Sequence, residues 1–333
     1  MDVKDGILGF AIGDALGVPV EFTDRKILEQ FPVTDMFGNG VHKQPKGTWS
    51  DDTSMILATM DGVVESGFID YYQIAENFCL WASSKKYNAH DRIFDIGITT
   101  HSALRNYFML DVEPTKAGCK EFFDNGNGSL MRILPIAYYF KENQATDLEI
   151  SRVVNDLSSI THAHELSCLG CYLYTKFALF LLEGKSFEES YQELQKVDVS
   201  MYSDPSKDAY KRVLSGELSN INDSSLIKSS GFVIDSLEAS IWCCLKTKSY
   251  EEATLKAINL GNDTDTIGGL TGGLAAIKYG SDNIPKKWLD NLVKKDYIED
   301  LSNKYQNTIK SMDKASYLVK KKRKMCTFFL FFW

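Results

Sequence analysis

Polar breaks divide this chain into segments whose apolar residues return every three or four positions. Residues 3–16 set the pattern, with Ile7, Leu8, Ala11, Ala15 and Leu16 on one helical face and a stop at Gly17-Val18-Pro19. Gly6, Gly9 and Gly13 interrupt that face. Each weakens an isolated helix, so together they predict close approach by another backbone and a buried, central position. Residues 23–47 read as irregular. Met55 to Glu65 is amphipathic and stops at Gly67; Tyr71 to Ser84 makes the next helix, and another begins at Asp95 and runs to about Phe108. Leu166 to Gly184 is strongly apolar and central. Further helices are expected near 186–196, 206–215, 231–246 and 249–260, with a surface loop within 198–229. Leu270 to Tyr279 is a run of small and apolar residues, and the amphipathic stretch Trp288 to Lys310 closes the domain. Strand signals are scarce. The expected fold class is therefore all-α, a compact single domain over residues 1–312, followed by a disordered tail, 313–333.

Composition narrows this. Hydrophobic residues make up 44% of the 333, enough for one large core. The basic residues Lys320, Lys321, Lys322, Arg323 and Lys324 sit in one terminal run; removing these five from a net charge of −8 leaves the body at −13. No basic stripe remains there to track a phosphate backbone, which argues against generic nucleic-acid binding. The tail adds aromatics to its basic run but is too short to span a bilayer, and no function is rested on it. Seven cysteines, with Cys243 beside Cys244, read as reduced thiols rather than a disulfide framework. Cys168-Leu169-Gly170-Cys171 lies within an apolar helical run, so core packing is favoured over redox or zinc chemistry. The acidic N-terminus lacks the layout of a signal peptide, and no internal apolar run reaches spanning length, so a cytoplasmic protein with no transmembrane segment is expected.

Two acid clusters carry the chemistry. One is Ser50-Asp51-Asp52-Thr53, before the Met55 helix; the other is Asp263-Thr264-Asp265-Thr266, before the Leu270 run. Helix capping accounts for the hydroxyls and for one acid in each. It does not require the second carboxylate. If the clusters meet in space, Ser50, Asp51, Asp52, Asp263, Asp265 and Thr266 supply only oxygen ligands, which suits Mg²⁺ or Mn²⁺; four carboxylates suit two adjacent ions. Gly126-Asn127-Gly128-Ser129 is a turn able to aim backbone N–H groups at an anion, without the lysine or spacing of a P-loop. Asp14 is an acid on an otherwise apolar helix, either a satisfied buried group or a neighbour of the ligand. Glu21 stands on the following loop. Asp95 is an N-cap or a functional acid. His162 and His164, two apart, face opposite ways on any helix and do not chelate one ion as a pair. These features favour metal-assisted hydrolysis of a phosphorylated or sugar-nucleotide substrate, without choosing the bond.

Gly13-Asp14-Ala15-Leu16-Gly17 with Glu21, Ser50-Asp51-Asp52-Thr53, Gly126 to Arg132, Thr161-His162-Ala163-His164 and Asp263-Thr264-Asp265-Thr266-Ile267-Gly268 occur in that order. In this the chain resembles the ADP-ribosylglycohydrolase family, including the dinitrogenase reductase-activating type, over about residues 3–280. The resemblance implies an orthogonal helix bundle of that type, binding two Mg²⁺ or Mn²⁺ ions and cleaving the glycosidic bond of ADP-ribose. It implies metal ligation by Ser50, Asp51, Asp52, Asp263, Asp265 and Thr266, and diphosphate binding by Gly126, Asn127, Gly128 and Ser129. It gives a catalytic role to Asp95 or Glu21, and ligand contact to His162 or His164. Ile98 stands where the family frequently has asparagine. The substrate implied is an ADP-ribosylated protein, arginine-linked by the likeness around Asp95, or a small metabolite such as O-acetyl-ADP-ribose. A non-catalytic ADP-ribose-binding or structural member is the other alternative.

Overall fold

Two helices from opposite ends of the chain, Val3–Gly17 and Thr264–Tyr279, lie against each other along most of their length. Both are buried almost throughout, and glycine on each side makes the approach possible. A methyl group on Gly13 would sit 2.0 Å from the Gly268 carbonyl oxygen, and one on Gly9 would sit 2.5 Å from that of Gly272. At this seam the chain uses glycine for room and not for left-handed backbone.

Tyrosine hydroxyls tie other helices to this axis. Tyr250 donates to the Gly9 carbonyl at 2.7 Å, and Tyr174 to that of Leu270 at 2.9 Å. Tyr138 accepts from the Gly6 amide at 3.2 Å. Tyr174 belongs to the apolar helix Glu165–Leu182, which also buries Cys168 and Cys171, so this CxxC pair packs in the core. That helix is the one described segment long and apolar enough to cross a membrane; 89% of the stretch is buried inside the fold, as for a core helix. Helix Asp51–Ser66 ends at Gly67 in the left-handed region (φ 74°) and turns back into Tyr71–Ser83. Helix Lys295–Ser311 packs across Val3–Gly17 and Asp51–Ser66. One continuous apolar cluster runs from Val3 to Ile309.

The computed structural model describes residues 2–90 and 92–312. Among them are 17 α-helices and no strand, only three isolated β-bridges, so the fold is all-α as the periodicity requires. The tail 313–333, expected to be disordered, lies outside the described residues. Four local expectations change. The helix expected near 206–215 is broken at Tyr210 into Asp204–Ala209 and Lys211–Leu214. The segment read as irregular contains a short helix, Arg25–Gln30, capped by Asp24. The stretch Trp288 to Lys310 breaks at Lys294, in the left-handed region at φ 54°, into Lys286–Leu289 and Lys295–Ser311. The helix assigned to start at Asp95 instead begins at Ile98, with Gly97 as its N-cap, so Asp95 is not a capping residue.

The seam is testable by adding a methyl group. Gly13→Ala should lower the unfolding free energy in urea by about 2–3 kcal/mol or more, because the nearest atoms are backbone that cannot yield locally. Gly67→Ala, with nothing within 4 Å, should cost only about 1 kcal/mol, from its positive φ. Equal losses at the two positions would remove the seam from its central place.

Candidate active site

The first helix ends within reach of the second acid cluster. Gly17 packs on the backbone of Asp265, where an added methyl would meet its Cα at 2.4 Å, and the Thr264 hydroxyl donates to the Gly17 carbonyl at 2.8 Å. Beyond Gly17 a 3₁₀ turn, Val18–Val20, delivers Glu21. Two backbone bonds then lock the loops together: Phe22 N–H donates to Asn262 at 2.6 Å and Asn262 N–H to Thr23 at 2.8 Å. Arg25 holds the outer side by donating to the carbonyls of Leu260, Ser224 and Ile227. Asp263 becomes the N-cap residue of Thr264–Tyr279, and Asp265 falls in the first turn.

Asp14 brings in the other cluster. Its buried carboxylate accepts from Ser50 N–H at 2.9 Å, Thr53 N–H at 3.1 Å and the Thr53 hydroxyl at 2.6 Å. It therefore caps helix Asp51–Ser66 from outside, alongside the Ser50 hydroxyl, which accepts from Asp52 N–H at 3.3 Å. This resolves the alternatives for Asp14: it is a satisfied buried group that also docks one acid cluster onto the other. The two clusters act on one another: Asp263 raises Asp52, and Asp52 raises Asp265, while the Thr266 side chain eases Asp52. Asp263, Asp265 and Glu21 offer carboxylate oxygens that all lie within 4.8 Å of one another.

Burial is the largest influence on every one of these acids. It pushes Asp51, Asp52 and Asp265 well above the usual carboxylate range, and neighbouring carboxylates push them further. Asp263 is raised by burial and partly relieved by hydrogen bonds, the Asn127 amide foremost. Glu21 is raised to about 7, by burial first and then by Asp263 and Asp95, against the pull of His42. Asp14 is raised to about 6 by burial, against its hydrogen bonds. The strongest charge interactions of Asp51, Asp52 and Asp265 are all with other carboxylates. The Asp52 Oδ2 atom is buried without a hydrogen-bond partner. Crowded carboxylates whose strongest charge neighbours are other carboxylates, with one oxygen of Asp52 left over, fit a hard cation.

Asp95 reaches the same place from an extended segment before Ile98. It lies with Glu21 and His42 in a second group whose ligand atoms are within 4.8 Å of each other. No sequence signal marks His42, which stands alone in a glycine- and proline-rich stretch with no periodicity. Its Nε2 hydrogen-bonds Glu21 Oε2, and that contact raises the imidazole above its ordinary value.

Behind the cluster is the loop Gly126–Ser129. Asn127 donates its side-chain amide to Asp263 Oδ2 at 2.7 Å and to Ser236 at 2.9 Å, so this residue reaches the acids. Its backbone N–H is engaged by Gly231 at 3.0 Å. Gly128 is small because a methyl there would sit 2.7 Å from the His162 ring. Ser129 is fully buried, its hydroxyl bonded to Ser158 and Cys171. Arg132 lies beneath, donating to Gly128 at 2.9 Å and Thr161 at 2.7 Å, and burial lowers its pKa to about 9. Of the two histidines, His162 is buried against this loop and held neutral, at about 3, by burial and Arg132; its Nδ1 pairs with Thr161. His164 caps helix Glu165–Leu182 by accepting from Leu166 N–H at 3.2 Å. Among the hydrogen bonds and ring contacts of the described residues, neither histidine reaches the acid cluster.

Known proteins share this arrangement of chain. The family model for ADP-ribosylglycohydrolase matches residues 2–315. An ADP-ribosylarginine hydrolase Tri1 from Serratia proteamaculans is 32% identical over 90% of this chain and 77% of its own. The ADP-ribosyl-[dinitrogen reductase] glycohydrolase of Rhodospirillum rubrum is 31% identical over 86% of this chain and 88% of its own. A solved structure described as an ADP-ribosylglycohydrolase-related protein complex superposes with a TM-score of 0.75, at 27% identity, over 92% of this chain and 98% of its own. Taken with the five ordered motifs and the all-helical core, these matches make the chain a member of the ADP-ribosylglycohydrolase family.

Proposed function

We propose that this protein is a metal-dependent hydrolase that releases ADP-ribose from ADP-ribosylated arginine by cleaving the glycosidic bond to the side chain. The observation that supports the reading is the placing of Asp52, beside Asp51, against Asp263 and Asp265 of the second cluster, with Asp52 Oδ2 unsatisfied. The arginine linkage is taken from the relatives acting on ADP-ribosylarginine.

Ser50, Asp51, Asp52, Asp263, Asp265 and Thr266 would hold two Mg²⁺ or Mn²⁺ ions. Such ions, when bound, neutralise the clustered acids and orient hydroxyl-bearing substrate. Glu21 and Asp95 flank the cluster as the groups that would hold or move a proton, one on the attacking water and one at the leaving nitrogen. Before any cation is bound, burial and the neighbouring Asp263 and Asp95 hold Glu21 at about 7, and it stands beside the cluster as a group able to exchange a proton. Asn127 steadies Asp263, and the turn it sits in would present backbone N–H groups to the diphosphate. Positive charge develops on the ribose as the bond breaks, and the surrounding carboxylates favour it.

The experiment is release of free ADP-ribose from an ADP-ribosylarginine peptide, alongside serine-linked and O-acetyl-ADP-ribose substrates, with Mn²⁺ or Mg²⁺. Turnover should require the cation, cease with EDTA, and fall by about 10²–10³-fold or more in Asp263→Ala. Full turnover of that variant in EDTA, or turnover of O-acetyl-ADP-ribose alone, would reject the proposal.

Stability should report the cluster independently of substrate. Glu21 sits at about 7 in the fold against 4.5 when free, and Asp51, Asp52 and Asp265 are also raised, so the fold binds protons that the unfolded chain has released. Stability from these groups is therefore lost as pH rises through their folded values. His162, held at about 3, acts in the opposite sense, but only below its ordinary 6.5. Without divalent cation, the thermal midpoint should fall as pH rises from 6.5 to about 8. Mn²⁺ should stabilise the fold more at the upper end of that range, because protons no longer compete for its ligands. Mn²⁺ stabilisation independent of pH, followed by differential scanning calorimetry, would contradict this.

A further inference from the structure

We infer that His42 is the positioning residue that aims the Glu21 carboxylate into the acid cluster. The inference deepens the hydrolase reading and rests on it. Glu21 ends the Val18–Val20 turn on a long side chain with several rotatable bonds, and its named carboxylate neighbours, Asp263 and Asp95, repel it. Left to electrostatics, that side chain would swing towards solvent. It is nevertheless buried, and the contact that opposes the repulsion is the hydrogen bond from His42 Nε2 to Glu21 Oε2. That bond uses one carboxylate oxygen and leaves Oε1 for the site.

The chain around His42 is built to make this contact. Asn39 and Gln44 form an isolated bridge, with Asn39 N–H donating to Gln44 at 2.6 Å, and Asn39, Gly40 and Lys43 all adopt positive φ. Two non-glycine residues in that region within one short turn are costly, and they persist only where the surroundings hold them. Here the surroundings are the turn that carries Glu21. Val41 N–H donates to the Pro19 carbonyl at 3.0 Å, and Gly40 lies so close that a methyl would sit 1.9 Å from the same oxygen. His42 is thereby referenced to the backbone of Pro19, two residues before Glu21 itself. Gln44 donates to the His42 carbonyl at 2.9 Å. The ring is flanked by Phe22, at 6.0 Å, and Phe94, at 5.2 Å. Phe22 follows Glu21 and Phe94 precedes Asp95, so one imidazole registers both flanking acids against each other.

The test compares His42→Ala with His42→Gln, whose amide nitrogen can stand close to the lost Nε2. Alanine should lower kcat on the ADP-ribosylarginine peptide by about 10–100-fold, as loss of a supporting hydrogen bond to an active-site group does. KM and the Mn²⁺ concentration for half-activation should stay within about twofold, and glutamine should restore most of kcat. A kcat unchanged in His42→Ala, a loss that glutamine does not recover, or a loss confined to KM would overturn the inference. Crystal structures of the Mn²⁺-loaded variants give a second reading that needs no substrate. In His42→Ala the Glu21 carboxylate should leave its wild-type place by more than about 0.5 Å, and in His42→Gln it should return. Glu21 staying in place in the alanine variant would refute the positioning role whatever the enzyme cleaves. A wild-type protein inactive on arginine-linked substrate would count against the proposed function alone, and the crystal structures would still decide the role of His42.

Discussion

The fold depends on backbone meeting backbone between Val3–Gly17 and Thr264–Tyr279. Without side chains at Gly9, Gly13, Gly17, Gly268 and Gly272, helices from the two ends of the chain can run nearly in contact. Ordinary helix packing holds axes about 8–10 Å apart, with side chains between them. Here the glycines remove that layer where the site begins. The carboxylates of the later helix then stand beside the loop leaving the earlier one, and Glu21 is placed by the axis rather than by the surface. A glycine seam costs helix propensity, and burial of Phe10, Ile12, Leu270 and Leu274 along the same helices compensates.

A second constraint is electrostatic and opposes the first. Closing the seam buries acids that repel one another, and Asp14 adds a further carboxylate as it docks the Asp51–Ser66 helix. Asp14 differs from the rest because donors surround it: two amides and a hydroxyl satisfy its oxygens. Asp52 lacks that provision at Oδ2. The contrast separates the structural acid from those built for a ligand, and it rests on hydrogen bonds, since both are buried and both are raised. Raised carboxylates alone mark crowding; the unpaired Asp52 Oδ2 among them adds an acceptor able to take a ligand.

How much of this could be read beforehand follows from the range of each interaction. Helix positions were legible because periodicity is local, and the first helix spans Val3–Gly17 where its apolar face placed it. The acid clusters were legible because a second carboxylate at a helix start exceeds what capping needs. Partners were not. Asp14 reaches Ser50 across 36 positions, and Asn127 reaches Asp263 across 136, with no spacing rule to connect them. The turn holding Asn127 is legible as an anion contact, but nothing in its spacing tells that the Asn127 side chain bonds Asp263. His164, two residues from His162, looked equally available to a ligand; only its place at a helix start reveals a cap. The N-cap lies two residues beyond Asp95, at Gly97; acids are favoured caps, and nothing local shows that Asp95 turns to the site instead.

For the proposed site, the balance of charge favours two divalent ions over one. Glu21, Asp51, Asp52, Asp263 and Asp265 gather five carboxylates where two helices begin. Each helix N-terminus contributes about half a positive charge, so the pair offsets about one carboxylate. His42 has its single contact with the group through Glu21 and can offset that acid at most. Asp95 stands just beyond and adds its own negative charge to Glu21 and Asp51. One divalent ion would leave an excess of buried anion, which the fold could carry only by protonating carboxylates and so losing them as ligands. A second ion brings the cluster close to neutrality with every acid ionised. Asp95, outside the set proposed to hold the ions, keeps its negative charge and is the acid placed to meet the positive charge that develops on a ribose ring.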